Sequence, residues 1–167
     1  MYNDTYVELM IKKKTTAGML ALRVLTMVLT GILALLGMMA ANIICFLLAI
    51  GCGVLAYFVY LNADLEYEYL YVDKQLSIDK VMAKSRRKKA EVLDLERMEI
   101  LAPLNSWRLD EYKNKNYKTV DYSTGVVNQP ETRYVMYYNG EKKVILEPDI
   151  KLVKAIQSIA PRKVFTD

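Results

Sequence analysis

The sequence predicts an α+β membrane protein in which an N-terminal two-helix transmembrane hairpin is followed by an antiparallel barrel or sandwich of about seven strands, capped by one C-terminal helix. Three observations carry that prediction. Val24 to Ala63 runs forty residues without an Asp, Glu, Lys or Arg. That is too long for one crossing of a hydrocarbon core roughly 30 Å thick and suits two helices rising about 1.5 Å per residue. Beyond it, short segments alternate apolar and polar side chains, the signature of half-buried strands. Near the end, Ile150, Val153, Ile156 and Ile159 recur at helical spacing behind Pro148 and Asp149. Three regions result: a juxtamembrane segment over 1–16, the hairpin over 17–62 and a domain over 63–167.

Residues 1–14 carry Tyr2, Tyr6, Leu9, Met10 and Ile11 ahead of Lys12, Lys13 and Lys14. They read either as an amphipathic segment lying on the membrane surface or as a frayed leader. The first span starts near Ala17 and ends near Met39, and its one charge, Arg23, lies close enough to the start to snorkel to the headgroups as an anchor. Gly37 to Asn42 makes the turn. The second span runs from about Asn42 to Leu61, with Tyr57 and Tyr60 suited to the interfacial aromatic belt. The turn is uncharged, whereas Lys12, Lys13, Lys14 and Arg23 flank the outer end of the first helix. The positive-inside rule therefore expects two spans in the cell membrane with both termini cytoplasmic. Cys45, Ala49 and Gly53 form a small-residue stripe that admits close approach of another helix, the first span ahead of a second chain. The absence of an ionisable group at mid-bilayer argues against an ion path within one hairpin.

Net charge is +4, shared evenly between residues 1–63 and the remainder, too balanced for a general nucleic-acid binder. Cys45 and Cys52, seven residues apart in the second span, cannot bridge each other if helical, because a disulfide needs Cα atoms within about 7 Å. They read as packing residues. With no histidine, and no cysteine outside the hairpin, the usual zinc and cysteine–histidine sites are excluded. No cofactor motif is present.

In the domain, Leu65, Tyr67, Tyr69 and Tyr71 alternate with Glu66, Glu68 and Leu70 to give a first strand, and Asp73-Lys74 turns it into a second over Gln75 to Met82. Ala90 to Leu95 reads as a third, behind a basic turn at Lys84 to Lys89. Weaker strands are expected over Trp107 to Tyr112 and Tyr117 to Tyr122. Thr124 to Glu131, with Gly125 and Pro130, reads as a longer, mobile loop. Arg133 to Tyr138 and Lys143 to Leu146 flank Asn139-Gly140, a dipeptide suited to a tight hairpin. Asp149 caps the final helix and Pro161 ends it. Trp107, the only tryptophan, reads equally as core or as an exposed anchor.

Strands closed by a helix in this order resemble a pleckstrin-homology (PH)-like barrel, as in bacterial PH-domain families where a pair of membrane helices often precedes the domain. The stretch Glu66-Tyr67-Glu68-Tyr69 through Leu76-Ser77-Ile78-Asp79-Lys80 is also similar to an uncharacterised family of small two-span proteins from anaerobic Gram-positive bacteria. So are the basic run Lys84 to Lys89, Ile145-Leu146-Glu147-Pro148 and Ala160-Pro161-Arg162-Lys163. That resemblance spans most of the chain and implies no catalytic residues.

One constellation suggests a mechanism. Lys84-Ser85-Arg86-Arg87-Lys88-Lys89 holds five basic residues in six. The first strand leaves the bilayer and the second runs back antiparallel to it, so the basic turn is expected to return to the membrane, where each cation gains about 1 kcal/mol from anionic headgroups. Lys84, Arg86, Arg87, Lys88 and Lys89, with Lys12, Lys13 and Lys14, are the expected lipid contacts; a solvated turn that blocks edge pairing is the competing reading. Glu96, Glu99, Asp110 and Glu111 show no spacing that separates them from solvated carboxylates, so no enzyme is expected. The expected function is a membrane-anchored module at the inner leaflet, binding anionic lipid headgroups, a protein partner or both. The alternative is a small accessory subunit docking through its hairpin, or a homo-oligomer.

Overall fold

A computed structural model describes residues 6–40 and 42–166, and within them two compact units. The β-rich unit takes the described part of Met1–Lys13 with Glu66–Val81 and Arg87–Asp167, and the helical unit takes Lys14–Leu65 with Met82–Arg86. Tyr2, expected in the amphipathic leader, lies outside the described residues.

The helical unit holds α1 (Ala17–Met39) and α2 (Ile43–Ala63), both long and apolar enough to cross a membrane. Thr16 Oγ1 caps α1 by accepting from the Met19 amide at 3.3 Å, and Asn42 Oδ1 caps α2 by accepting from Ile44 at 3.0 Å. Gly37 sits where the helices converge: a Cβ there would stand a tight 3.1 Å from the Phe46 backbone nitrogen. The small-residue stripe faces the first helix. Ala49 is buried, and a Cβ on Gly53 would meet Thr30 of α1 at 3.6 Å.

In the β-rich unit, the segment expected to lie on a membrane surface is instead a strand, β1 (Tyr6–Lys12), paired antiparallel with β2 (Leu65–Val72) from Tyr6 opposite Val72 to Lys12 opposite Glu66. The reason is its period. Val7, Leu9 and Ile11 point one way and pack against the core, whereas an interfacial helix needs a helical period. The two helices are thus inserted, in sequence, between strands that pair with each other.

β3 (Gln75–Met82) and β4 (Arg86–Asp94) complete a four-stranded sheet in the order β1-β2-β3-β4. The second sheet is formed by β5 (Met98–Pro103), β6 (Lys118–Asp121), β7 (Tyr134–Tyr138) and β8 (Lys142–Leu146), in the order β5-β7-β8-β6. Seven strands, β2 to β8, lie within 63–167 as expected, with Met98–Pro103 in place of Trp107–Tyr112; among the described residues β1 adds an eighth, and β6 pairs with β8 in parallel. Trp107–Tyr112 is a short 3-10 helix rather than a strand, because Ser106 Oγ accepts from the Arg108 amide and starts a helical turn. Trp107 is 68% exposed, which resolves its alternatives. Asp73 and Lys74, like Asn139 and Gly140, both have positive φ, the two-residue turn that matches strand twist.

Both sheets and α3 (Ile150–Ile159) feed one core containing Tyr69, Leu76, Ile78, Leu93, Leu101, Met136, Leu146 and Ile156. Asp149 Oδ1 caps α3 by accepting from Leu152 at 2.8 Å. Its buried face is rotated from the expected stripe: Leu152, Val153, Ala155 and Ile156 are buried, while Ile150 and Ile159 are exposed. A smaller cluster of Ile100, Ala102, Leu109, Val135 and Tyr137 covers the outer face of the second sheet.

Candidate functional site

The six-residue basic run is divided between the two units, and its halves have different partners. Only Ala83 to Ser85 is turn; from Arg86 onward the run is strand β4, at the edge of its sheet, so the expected basic turn is mostly an edge strand. Ala83 and Lys84 have φ of 48° and 54°. A left-handed backbone at a non-glycine residue costs roughly 1–2 kcal/mol. The turn is tied in place by the Ala83 amide, which donates to the Asp64 carbonyl at 2.7 Å, and by Ser85 N–H donating to the Met82 carbonyl at 3.1 Å.

Within the helical unit, these contacts surround the end of the hairpin where α1 begins and α2 ends. Thr15 Oγ1 donates to the Ala63 carbonyl at 2.7 Å. The Arg23 guanidinium lies over the Tyr60 ring at 4.5 Å and the Arg86 guanidinium over the Tyr57 ring at 5.9 Å. Lys14 and Lys84 are exposed in the same unit. Two cation–π pairs and two lysines thus form a basic and aromatic surface around the outer ends of both helices.

The other half of the run belongs to the β-rich unit. Arg87 pairs at 2.5 Å with Glu68, whose side chain is only 6% exposed, so this cation is already engaged. Burial, reinforced by the neighbouring Glu8 carboxyl, pushes Glu68 above the usual carboxylate range against the pull of Arg87. Glu8 is held low, chiefly by the hydrogen bond from the Tyr6 hydroxyl at 2.6 Å. Lys88 and Lys89 are exposed, Lys12 ends β1 opposite Glu66, and the Lys13 ammonium lies over the Tyr67 ring at 5.7 Å. The expected lipid contacts are therefore distributed: Lys14, Lys84 and Arg86 in the helical unit, and Lys12, Lys13, Arg87, Lys88 and Lys89 in the β-rich unit.

Sequence reasoning missed the pairing of Arg86 with Tyr57 and of Arg87 with Glu68. The three-residue spacing of Tyr57 and Tyr60 was the available signal for the first, since it sets both rings on one helical face. The loop expected to be mobile is pinned. Glu147 accepts from the Thr124 amide at 3.0 Å, the Thr124 hydroxyl at 2.6 Å and the Thr132 hydroxyl at 2.7 Å. Arg133 forks onto Glu131 beside it. Next to this loop, a groove of about 770 Å³ runs along α3, lined by Tyr134, Ile150, Lys151, Val153 and Lys154 among others.

No curated protein and no solved structure matches the chain. The family model described as Bacterial PH-like domain (DUF6106) matches residues 3–166. That span includes both apolar helices, all eight strands and α3, and the chain belongs to this bacterial PH-like domain family.

Proposed function

We propose that the protein is a non-enzymatic PH-like module anchored by its two helices in the cell membrane, with both termini cytoplasmic. There its basic surface engages anionic headgroups of the inner leaflet. The observation that supports this most is the composition of the helical unit. Forty uncharged residues end in a collar of Lys14, Arg23, Lys84 and Arg86 with Tyr57 and Tyr60, the residue types that favour a headgroup region. The insertion of the hairpin between two paired strands supports a common side for its entry and exit, because Lys12 and Glu66 stand opposite each other in the ladder. In the β-rich unit, Lys88 and Lys89 are exposed on β4.

The test uses the full chain reconstituted in vesicles of phosphatidylcholine doped with fluorescent phosphatidylglycerol. Enrichment of the anionic lipid around the protein should fall when Lys84, Lys88 and Lys89 are changed to Gln, and should weaken with added salt. Unchanged enrichment at low salt would remove the lipid reading. The second reading is an accessory subunit. Because Ala49 and Gly53 face α1, docking would use the outer faces, where Leu25, Leu35, Leu47 and Leu55 are exposed. A stoichiometric partner cross-linked through those positions in native membranes would favour it.

A further inference from the structure

We infer that Arg23 and Arg86 form a two-arginine site for the phosphate of a single membrane phospholipid, each guanidinium braced on a tyrosine of α2. This rests on the membrane reading above and adds a defined ligand position to it.

The geometry comes from three separate parts of the chain. Tyr57 and Tyr60 are three residues apart on α2, so their rings project from one face, about 5–6 Å apart at Cβ. Arg23 reaches Tyr60 from α1, at 4.5 Å, and Arg86 reaches Tyr57 from the first residue of β4, at 5.9 Å. Among the described residues no carboxylate pairs with either guanidinium, in contrast to Arg87 on Glu68 and Arg133 on Glu131. The chain has supplied acids to those two arginines and rings to these. Among the described residues neither guanidinium donates a hydrogen bond to the chain, so each keeps the N–H edge that grips a phosphate through two parallel hydrogen bonds.

Depth selects the source of that phosphate. Arg23 lies six residues after Ala17 and Tyr57 six before Ala63, so each stands about 9 Å along its helix from the outer end. A cation at that depth in an apolar hairpin is costly without a counter-charge. The lipid's own phosphate lies at the boundary between water and hydrocarbon and can supply it. The tie from Ala83 to the Asp64 carbonyl keeps the turn, with its left-handed Ala83 and Lys84, beside the end of α2 from which Arg86 reaches its ring.

The full chain, reconstituted with mixed phosphatidylglycerol and phosphatidylcholine, is released gently into detergent and weighed by native mass spectrometry. The wild type should retain one phospholipid, and R23Q/R86Q should lose it at least tenfold. Excess inorganic phosphate should not displace it; displacement would reassign the site to a free anion and overturn the lipid assignment. Helical circular dichroism checks that the double variant folds. If it does not, R86Q alone is decisive, because Arg86 is exposed at the start of β4 and lies outside both helices. Undiminished retention in R23Q/R86Q, or in R86Q where only that variant folds, overturns the site. If K84Q/K88Q/K89Q still lowers lipid enrichment in that case, the broader headgroup reading stands without it.

Discussion

Leu25, Leu35, Leu47 and Leu55 in the two helices are each at least 60% exposed, whereas Leu76, Leu93, Leu101 and Leu152 in the β-rich unit are fully buried. The same residue type thus has opposite surroundings in two parts of one chain. In water the first set would forfeit about 25 cal/mol for every Å² of apolar surface left uncovered. The β-rich unit supplies its own interior. The helices are capped and packed on each other, yet leave most of their apolar surface to be covered from outside, which is the arrangement expected where lipid is the solvent.

The widest separation between the two regions should come from truncating one buried and one exposed leucine. Leu101→Ala should cost about 2–5 kcal/mol in the β-rich unit, because it opens a cavity in a close-packed core. Leu25→Ala should change stability by less than about 0.5 kcal/mol. Thermal melts in detergent, followed by tyrosine near-ultraviolet circular dichroism, read both. Equal losses would mean that Leu25 is buried by something the chain itself provides.

Leu55→Arg should act almost as strongly, but on insertion rather than on folding. A central arginine costs a membrane helix about 2.5–3.5 kcal/mol, so the variant should be partly released by carbonate washing that leaves the wild type bound. On a surface facing water the same change would have little effect, and full retention would count against lipid as the surrounding medium.

The smallest effect is confined to the β-rich unit and depends on pH. Burial pushes the Glu147 carboxyl up, but the hydrogen bonds from Thr124 and Thr132, with Arg133 nearby, hold it below the usual range. A lowered carboxylate stabilises the fold above its unfolded pKa, about 4.3, and that contribution is lost as pH falls through the folded value. Hydrogen exchange at the Thr124 amide should therefore quicken, relative to its intrinsic rate, below about pH 4. Glu147→Gln should cost about 1 kcal/mol at neutral pH and flatten this dependence. An unchanged pH profile in that variant would show that another carboxylate controls the loop.

Strong local signals are legible in the chain. Asp73-Lys74 and Asn139-Gly140 are tight turns, the tyrosines at 67, 69 and 71 face a core, and α3 lies between Asp149 and Pro161. What the chain does not reveal locally depends on distant partners. Tyr6–Lys12 looks like an amphipathic surface segment or a frayed leader until Val72 to Glu66 is known to lie beside it, and the entire hairpin separates those strands in sequence. Met98–Pro103 is hard to recognise because it is short and begins after a 3-10 turn. In α3, apolar residues occupy several faces, and only packing decided that Leu152 rather than Ile150 is buried.

The same division holds for the candidate site. The order of the amino acids alone determined the neutral stretch, the basic run and the tyrosines near the end of α2, because charge, hydropathy and short-range turn chemistry are properties of neighbouring residues. Tertiary structure decided which cations remain available: Arg87 is held by Glu68, while Arg86 rests on Tyr57. Such choices are made by chain closure over tens of residues, where desolvation and the nearest counter-charge compete, and no local pattern records the outcome.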